Sequence, residues 1–297
     1  MSNSSEPLIS IIIPTYNHSR YLGRALQSIY DQTYVNWEAI IVDNHSTDDT
    51  PGVVKKFDGP RISYFKIHNH GIIAASRNLG INAARGNWLA FLDSDDWWSA
   101  DKLETCSKYI DDNLDLIHHD LALVYEQTSF FRRHVTCSRQ LKAPVLKDLL
   151  IKGNAIVNST VIVRRKLLIK IGGISEDKNM VASEDYNTWM RIAALTDRFR
   201  YLPKSLGYYQ IHSNGVSQRD MSQSDYAAIA EFKEQLTPNQ LGEIEKLLSY
   251  VSGRVNYLKK EYTSAELALK KTLPSKNVMI TVKAIMMLAI IFVIKKS

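Results

Sequence analysis

The sequence predicts an α/β protein with a largely parallel, helix-covered sheet, followed by an extension made only of helices. Three observations carry that expectation. Short β-branched apolar runs alternate with amphipathic segments over the first hundred residues, the pattern of repeated βα units. Polar and charged motifs fall just after the apolar runs, where open α/β sheets bind ligands. From about residue 222 onward only helical periodicity remains.

The elements follow in order. Residues 8–14 form an apolar run closed by proline, as expected of a buried strand. Tyr21, Leu22, Ala25, Leu26 and Ile29 then recur at three- and four-residue spacing, which predicts a helix. A second strand over 38–42 stops at Asp43-Asn44. Ser46, Thr47, Asp48 and Asp49 supply capping chemistry for a helix running toward Phe57. Residues 62–66, 74–84 and 88–92 read as strand, helix and strand. After Trp98 the pattern loosens, with strands expected over 116–125 and 155–164 and a helix over 184–195. Helices are expected over 227–235, 238–257 and 264–273, with Pro238 near a helix start. The expected domains are an α/β domain at 1–218, a helical extension at 219–275, and a basic, apolar helix at 276–297.

Of 297 residues, 45% are hydrophobic and 23% charged, with 13 Gly, 8 Pro and 2 Cys, which excludes disordered, collagen-like and disulfide-built classes. Cys106 and Cys137 have no metal-type spacing and fit a reducing compartment. Residues 1–7 are polar and lack the apolar run of a signal peptide, so a cytoplasmic body is expected. The net charge of +6 is unevenly placed: residues 251–297 carry +7 and the remainder −1. A nucleic-acid footprint spread over the folded body is therefore disfavoured, and no nucleic-acid partner is expected.

The apolar run 278–294 has 17 residues, is interrupted by Lys283, and is followed by Lys295-Lys296. At about 1.5 Å per residue it reaches roughly 26 Å, short of the hydrocarbon core of about 30 Å. The expectation is an interfacial helix on an anionic membrane surface, with Lys283 snorkelling; a full span or a core helix of the body are the alternatives.

The strongest chemical signal is Asp93-Ser94-Asp95-Asp96, directly after an expected strand. Three carboxylates in four residues repel one another, and a divalent cation resolves the conflict. Mg²⁺ or Mn²⁺ takes one or two carboxylates and fills its other positions with phosphate oxygens and water. A solvated acidic loop is the plain alternative.

Four further motifs accompany it: ISIIIPTYN at 9–17, IIVDNHSTDDT at 40–50, Ser76-Arg77-Asn78, and SEDYNTWMRI from Ser183. In this order and at these separations they resemble the family 2 glycosyltransferases, over roughly residues 7–218. The pieces GGISED and YYQIHSNGVS resemble the acceptor-side half of that family. The resemblance implies a GT-A fold for the α/β domain and transfer of a sugar from a nucleotide diphosphate sugar, UDP-linked in the leading reading, with inversion of configuration. It implies a nucleotide-sugar site from Pro14, Thr15, Tyr16 and Asn17, with Asp43, Arg77, Asp93 and Ser94.

Each position has a chemical rationale beside a structural one. Tyr16 offers an aromatic face to a base, Asp43 can accept from a base N–H or cap a helix, and Arg77 can contact base or diphosphate. The resemblance places Asp95 on the metal, Mn²⁺ or Mg²⁺, Asp93 near the ribose or on the metal, and His212 on the metal or against the diphosphate. It makes Asp185 the base that deprotonates the acceptor hydroxyl, with Glu184 beside it. Both acids also suit a helix N-terminus. His45 stands where the family often has glycine, which puts that loop's backbone in question.

The basic tail adds a lipid-linked or glycan acceptor and peripheral or monotopic attachment to the inner face of the cytoplasmic membrane, in the building of a surface polysaccharide such as lipopolysaccharide. Two other functions compete. A sugar nucleotidyltransferase wants a Gly/Arg/Lys-rich phosphate loop after the first strand, which PTYNHSR is not. A non-catalytic sugar-nucleotide-binding protein keeps the fold but has no need of Asp93, Asp95 and Asp185 together. A dinucleotide oxidoreductase is excluded, since no G-x-G-x-x-G follows Ile13.

Overall fold

The computed structural model describes residues 6–125, 134–136, 138–212 and 219–296. The described residues fall into two compact units. The first comprises those within Met1–Leu149, Asn154–Glu176 and Thr188–His212; the second those within Leu150–Gly153, Asp177–Asn187 and Ser213–Ser297.

The first unit is built on eight strands: β1 (Ile9–Thr15), β2 (Trp37–Asp43), β3 (Ile62–Lys66), β4 (Trp88–Phe91), β5 (Trp97–Trp98), β6 (Leu116–Tyr125), β7 (Ile162–Arg164) and β8 (Phe199–Ile211). Their order in one sheet is β3-β2-β1-β4-β7-β6-β8-β5. The first four run parallel, as expected for βα units. The rest is mixed: β7 is antiparallel to both β4 and β6, β6 is parallel to β8, and β5 is antiparallel to β8.

Every residue of β1 and β2 is buried, because helices cover both faces. On one face Ile9, Ile11, Ile13, Ala39 and Ile41 pack with Leu22, Ala25, Leu26 and Ile29 of α1 (Ser19–Tyr30). The expected spacing in that helix is thus its buried stripe. On the opposite face Gly80, on the helix Ile73–Ala83, meets Ile12. Phe91 and Trp189 stand edge to face at 6.0 Å on the same unit. Glu38, 5% exposed in this sheet, is satisfied by Ser10 Oγ at 2.7 Å and by the Arg85 backbone and guanidinium. Cys106 is a buried free thiol, pushed up to about 11 by that burial; Cys137 lies outside the described residues.

Two strand expectations change in detail. Of 155–164 only Ile162–Arg164 pairs, because Asn158–Thr160 turns into a short 3₁₀ helix. β8 has no counterpart in the periodicity: Pro203, Lys204 and Gly207 interrupt its pattern, and its pairing with β6 shifts register around Asp120.

The second unit is helical. Residues Ser222–Ala228 form a helix and Ala230–Gln235 a 3₁₀ turn, in place of one helix over 227–235. A long helix, Pro238–Leu258, starts with Pro238 in its first turn and a capping box between Thr237 and Gln240. A helix at Tyr262–Thr272 packs against it, with Leu269 close to Gly253. The apolar run forms one helix, Val278–Ile294, capped by Asn277.

Gly80 gives a stability test in which two effects oppose. Alanine is favoured over glycine in a helix by about 1 kcal/mol. A Cβ here, however, would sit 2.6 Å from Ile12 Cγ2, on a β-branched side chain that cannot swing away. Overpacking of that kind costs about 1–3 kcal/mol. Gly80→Ala is therefore expected to lower the unfolding free energy by about 1 kcal/mol in urea denaturation; a more stable variant would show that the helix stands further from the sheet.

Candidate active site

Strands β1, β2 and β3 step outward in one direction, and the chain then crosses back to place β4 on the other side of β1. That reversal opens a crevice at the carboxyl ends of β1 and β4, the general place for a ligand in an open α/β sheet. A cleft of about 240 Å³ lies there, lined among others by Pro14, Thr15, Tyr16, His18, Asn69 and Ser94. Tyr16 is 53% exposed, so its ring is available to a planar ligand.

The loops around the cleft are fastened to one another. Asn17 adopts a left-handed backbone (φ 51°), donates its N–H to Ser46 Oγ and accepts from Thr47 N–H at 2.8 Å. Asp48 accepts from Ser19 N–H and from the Thr50 hydroxyl, joining the starts of two helices. Asp43 is fully buried. Its Oδ1 accepts from the Ser46 N–H and hydroxyl and its Oδ2 from the Tyr64 hydroxyl at 2.5 Å. Burial, then the bond to Asp43, raise the Tyr64 phenol. In this structure Asp43 acts as a brace beneath the loop. His45 is also left-handed (φ 52°), the conformation that favours glycine and that histidine tolerates better than most residues. Its ring stacks on His68 at 3.7 Å.

The acidic loop forms the floor. Asp93 accepts from Arg77, a buried guanidinium on the helix Ile73–Ala83, at 2.8 Å, and from Asn158 Nδ2 at 3.1 Å. Ser94 Oγ and His18 Nδ1 lie 2.8 Å apart. Asp95 Oδ2 is 3.0 Å from His212 Nε2, and its carbonyl accepts from Arg24. Asp96 points inward, accepting from Ser159 Oγ at 2.6 Å and from Gln210 N–H at 3.0 Å. Burial, reinforced by the charges of Asp95 and Asp93, pushes its carboxyl well above the usual carboxylate range.

The structure thus brings together Arg77, Asp93, Ser94, Asp95 and His212, and separately Pro14, Thr15 and Tyr16 along the cleft. Among the described residues there is no group of three His, Cys, Asp or Glu side chains gathered as a metal site. The donor chemistry still suits a hard divalent ion: the partly exposed Asp95 carboxylate stands beside an imidazole, in a loop where burial and the neighbouring charges raise Asp96. Such an ion completes its shell with phosphate and water.

Glu184 and Asp185, both residues of the second unit, belong to the first turn of the helix Glu184–Ala193. Glu184 is buried; Asp185 is half-buried, and its Oδ1 accepts from Tyr186 N–H at 2.6 Å. Ser183, just before them, donates to Asp225, and Asn187 donates to Glu231 and the Ala228 carbonyl, so this turn is anchored from both sides.

Several members of the site had no sequence signal. Asn158 and Ser159 come from a stretch that reads as a strand, and His18 meets Ser94 only through the fold; Gln210 lies in the YYQIHSNGVS stretch, without a sign of its bond to Asp96. Trp97 lies between the Arg24 guanidinium at 3.4 Å and the Tyr208 ring at 4.9 Å.

Comparison with known proteins gives the family and the fold. Residues 10–172 match the family model described as Glycosyl transferase family 2. The chain is 28% identical over 251 residues to the Escherichia coli UDP-Glc:alpha-D-GlcNAc-diphosphoundecaprenol beta-1,3-glucosyltransferase WfgD, covering 82% of this chain and 92% of that protein. Among solved structures, S. aureus TarS 1-349 in complex with UDP-GlcNAc superposes with a TM-score of 0.65 at 21% identity, covering 88% of this chain and 79% of that one. The mannosyltransferase PcManGT from Pyrobaculum calidifontis, in complex with GDP-Man and Mn²⁺, gives a TM-score of 0.59 at 19% identity, covering 95% and 81%. The architecture is the GT-A fold expected from the sequence.

Asp96 gives a pH test. Its proton is held more tightly in the folded chain than at the ordinary value of 3.8, so the carboxyl subtracts stability as pH rises above that value. In metal-free buffer, Asp96→Asn is expected to unfold at a higher temperature than the parent at about pH 8, with the gap closing toward about pH 4. A gap independent of pH would overturn this account of the buried acid.

Proposed function

This chain belongs to glycosyl transferase family 2 and is a GT-A glycosyltransferase; from that premise we propose that it moves a sugar, with inversion, from a UDP-sugar to a hydroxyl of a lipid-linked glycan during cell-surface polysaccharide synthesis. The observation that carries the reading is the convergence of Arg77, Asp93, Asp95 and His212 beside the cleft at the β1/β4 reversal. The donor and acceptor classes draw support from the names of relatives: WfgD uses UDP-Glc and a diphosphoundecaprenol-linked acceptor, and TarS binds UDP-GlcNAc.

In this reading Tyr16 stacks on the base, and Pro14, Thr15 and Ser94 shape the cleft around the nucleotide. Asn17 and Asp43 hold the loops that form its rim. Mn²⁺ or Mg²⁺ would be held by Asp95 and His212, with Asp93 alongside, and would supply positive charge to the leaving diphosphate. Arg77 fixes Asp93 and keeps a cation next to the anionic donor. Asp185 takes the proton of the acceptor hydroxyl as its oxygen forms the bond to the anomeric carbon. The bond from that carbon to the diphosphate oxygen breaks, and its electron pair leaves with UDP. Glu184 stands beside the base. The basic segment at 276–297 brings the enzyme to the cytoplasmic face of the membrane, where a polyprenyl-linked acceptor resides.

The test is UDP release by the purified chain with UDP-sugars, Mn²⁺ and an undecaprenyl-diphosphate-linked sugar. Asp185→Asn is expected to lower kcat by about 10²–10⁴ while leaving UDP-sugar binding by calorimetry unchanged. Asp95→Asn is expected to weaken donor binding chiefly in the presence of Mn²⁺. Full turnover in Asp185→Asn would remove it as base, and turnover with GDP-sugars alone would overturn the donor class.

A further inference from the structure

The last helix, Val278–Ile294, is apolar all round except at Lys283. Packing alone gives it two faces. Ile280, Ala284 and Ile291 are buried, with Ala284 and Ile291 in one cluster with Ala265 and Leu269 of the neighbouring helix Tyr262–Thr272. On the opposite side Val278, Val282, Ile285, Met286 and Val293 are 49–74% exposed. With 3.6 residues per turn these five share one stripe, and Lys283 falls on its flank.

We propose that this helix lies flat in the headgroup region of an anionic bilayer, with the stripe Val278/Val282/Ile285/Met286/Val293 inserted and its other face kept on the protein. The proposal rests on the membrane reading above and specifies which surface does the binding and in what orientation. A spanning arrangement conflicts with the packing. Lys295 pairs with Glu266 of the helix Tyr262–Thr272 at 2.6 Å, and Ala284 and Ile291 pack with its Ala265 and Leu269, so that charged helix lies alongside. Crossing the bilayer would carry Glu266, Lys270 and Lys271 into hydrocarbon, a costly placement. No helix among the described residues is long and apolar enough to cross a membrane.

Charge decides between lipid and a second copy of this chain. Lys283 flanks the stripe, Lys276 comes just before the helix and Lys296 just after it. Two such basic faces would repel one another, whereas anionic headgroups complement them. Lysine stems at the edge can bury their methylenes while the ammonium groups stay among the phosphates.

The experiment is flotation of the full chain with vesicles of phosphatidylcholine and phosphatidylglycerol. The parent is expected to float, less so with phosphatidylcholine alone. Met286→Asp/Val293→Asp puts two charges on the exposed stripe without touching the buried face. It is expected to weaken vesicle binding by about tenfold or more, with unchanged unfolding temperature and donor turnover. If the parent floats and the double variant floats equally well, the insertion face is wrong while the membrane reading stands. If the parent does not float at all, both fall. A parent that is a dimer in solution, ignores vesicles, and becomes monomeric on the double substitution would assign the stripe to a second copy.

Discussion

The central constraint on the first unit is the repulsion among Asp93, Asp95 and Asp96. Three carboxylates in one tight turn cannot sit at the end of a buried strand unless each is answered separately, and the surrounding elements supply three different answers. Arg77 reaches across from the helix Ile73–Ala83 to Asp93. His212, at the end of β8, meets Asp95. Ser159 and the Gln210 backbone hold Asp96, whose raised proton affinity lets it remain inside as an acid while its neighbours face outward. The helix before β4, the turn before β7 and the end of β8 all converge on one loop of four residues. That gives the mixed half of the sheet a chemical reason as well as a packing one.

A second layer of bracing sets the shape of the cleft rim. Asn17 and His45 both occupy the left-handed backbone region, where a non-glycine residue persists only if its surroundings hold it. Asn17 is held by bonds to Ser46 and Thr47, and His45 by stacking on His68. Asp43, between them, has both oxygens occupied by Ser46 and Tyr64. A rim fixed by its own hydrogen bonds presents Tyr16 in a set position, so less ordering entropy is lost when a ligand arrives.

Local pattern made part of this legible. β1, β2 and α1 were readable because full burial leaves an uninterrupted apolar run in strands and a three-four stripe in a helix. Asp-Ser-Asp-Asp alone also fits a solvated acidic loop, and it gained meaning only from the motifs that accompany it in order along the chain. β8 was not: Pro203 and Gly207 break its alternation, and it exists through its long pairing with β6. Asn158 and Ser159 were misread as strand residues for a related reason. Their side chains are drawn to Asp93 and Asp96, 65 and 63 residues away in sequence, and the backbone turns to deliver them. Gln210 lies in the YYQIHSNGVS stretch, but its bond to Asp96 comes from the main chain, whose partner no side-chain pattern reveals.

The helix Val278–Ile294 shows a different limit. Its sequence is hydrophobic on every side but for Lys283, so length against bilayer thickness and the flanking lysines were the arguments about how it meets a membrane, and 17 residues is an ambiguous length. Tertiary packing supplies what the periodicity lacks. Once Ala284 and Ile291 are committed to Leu269, the remaining surface is a single apolar stripe, and Lys283 lies at its edge. The helix becomes amphipathic by having one side used up. That packing, with the ion pair of Lys295 to Glu266, holds the helix against a charged neighbour that hydrocarbon would not accept.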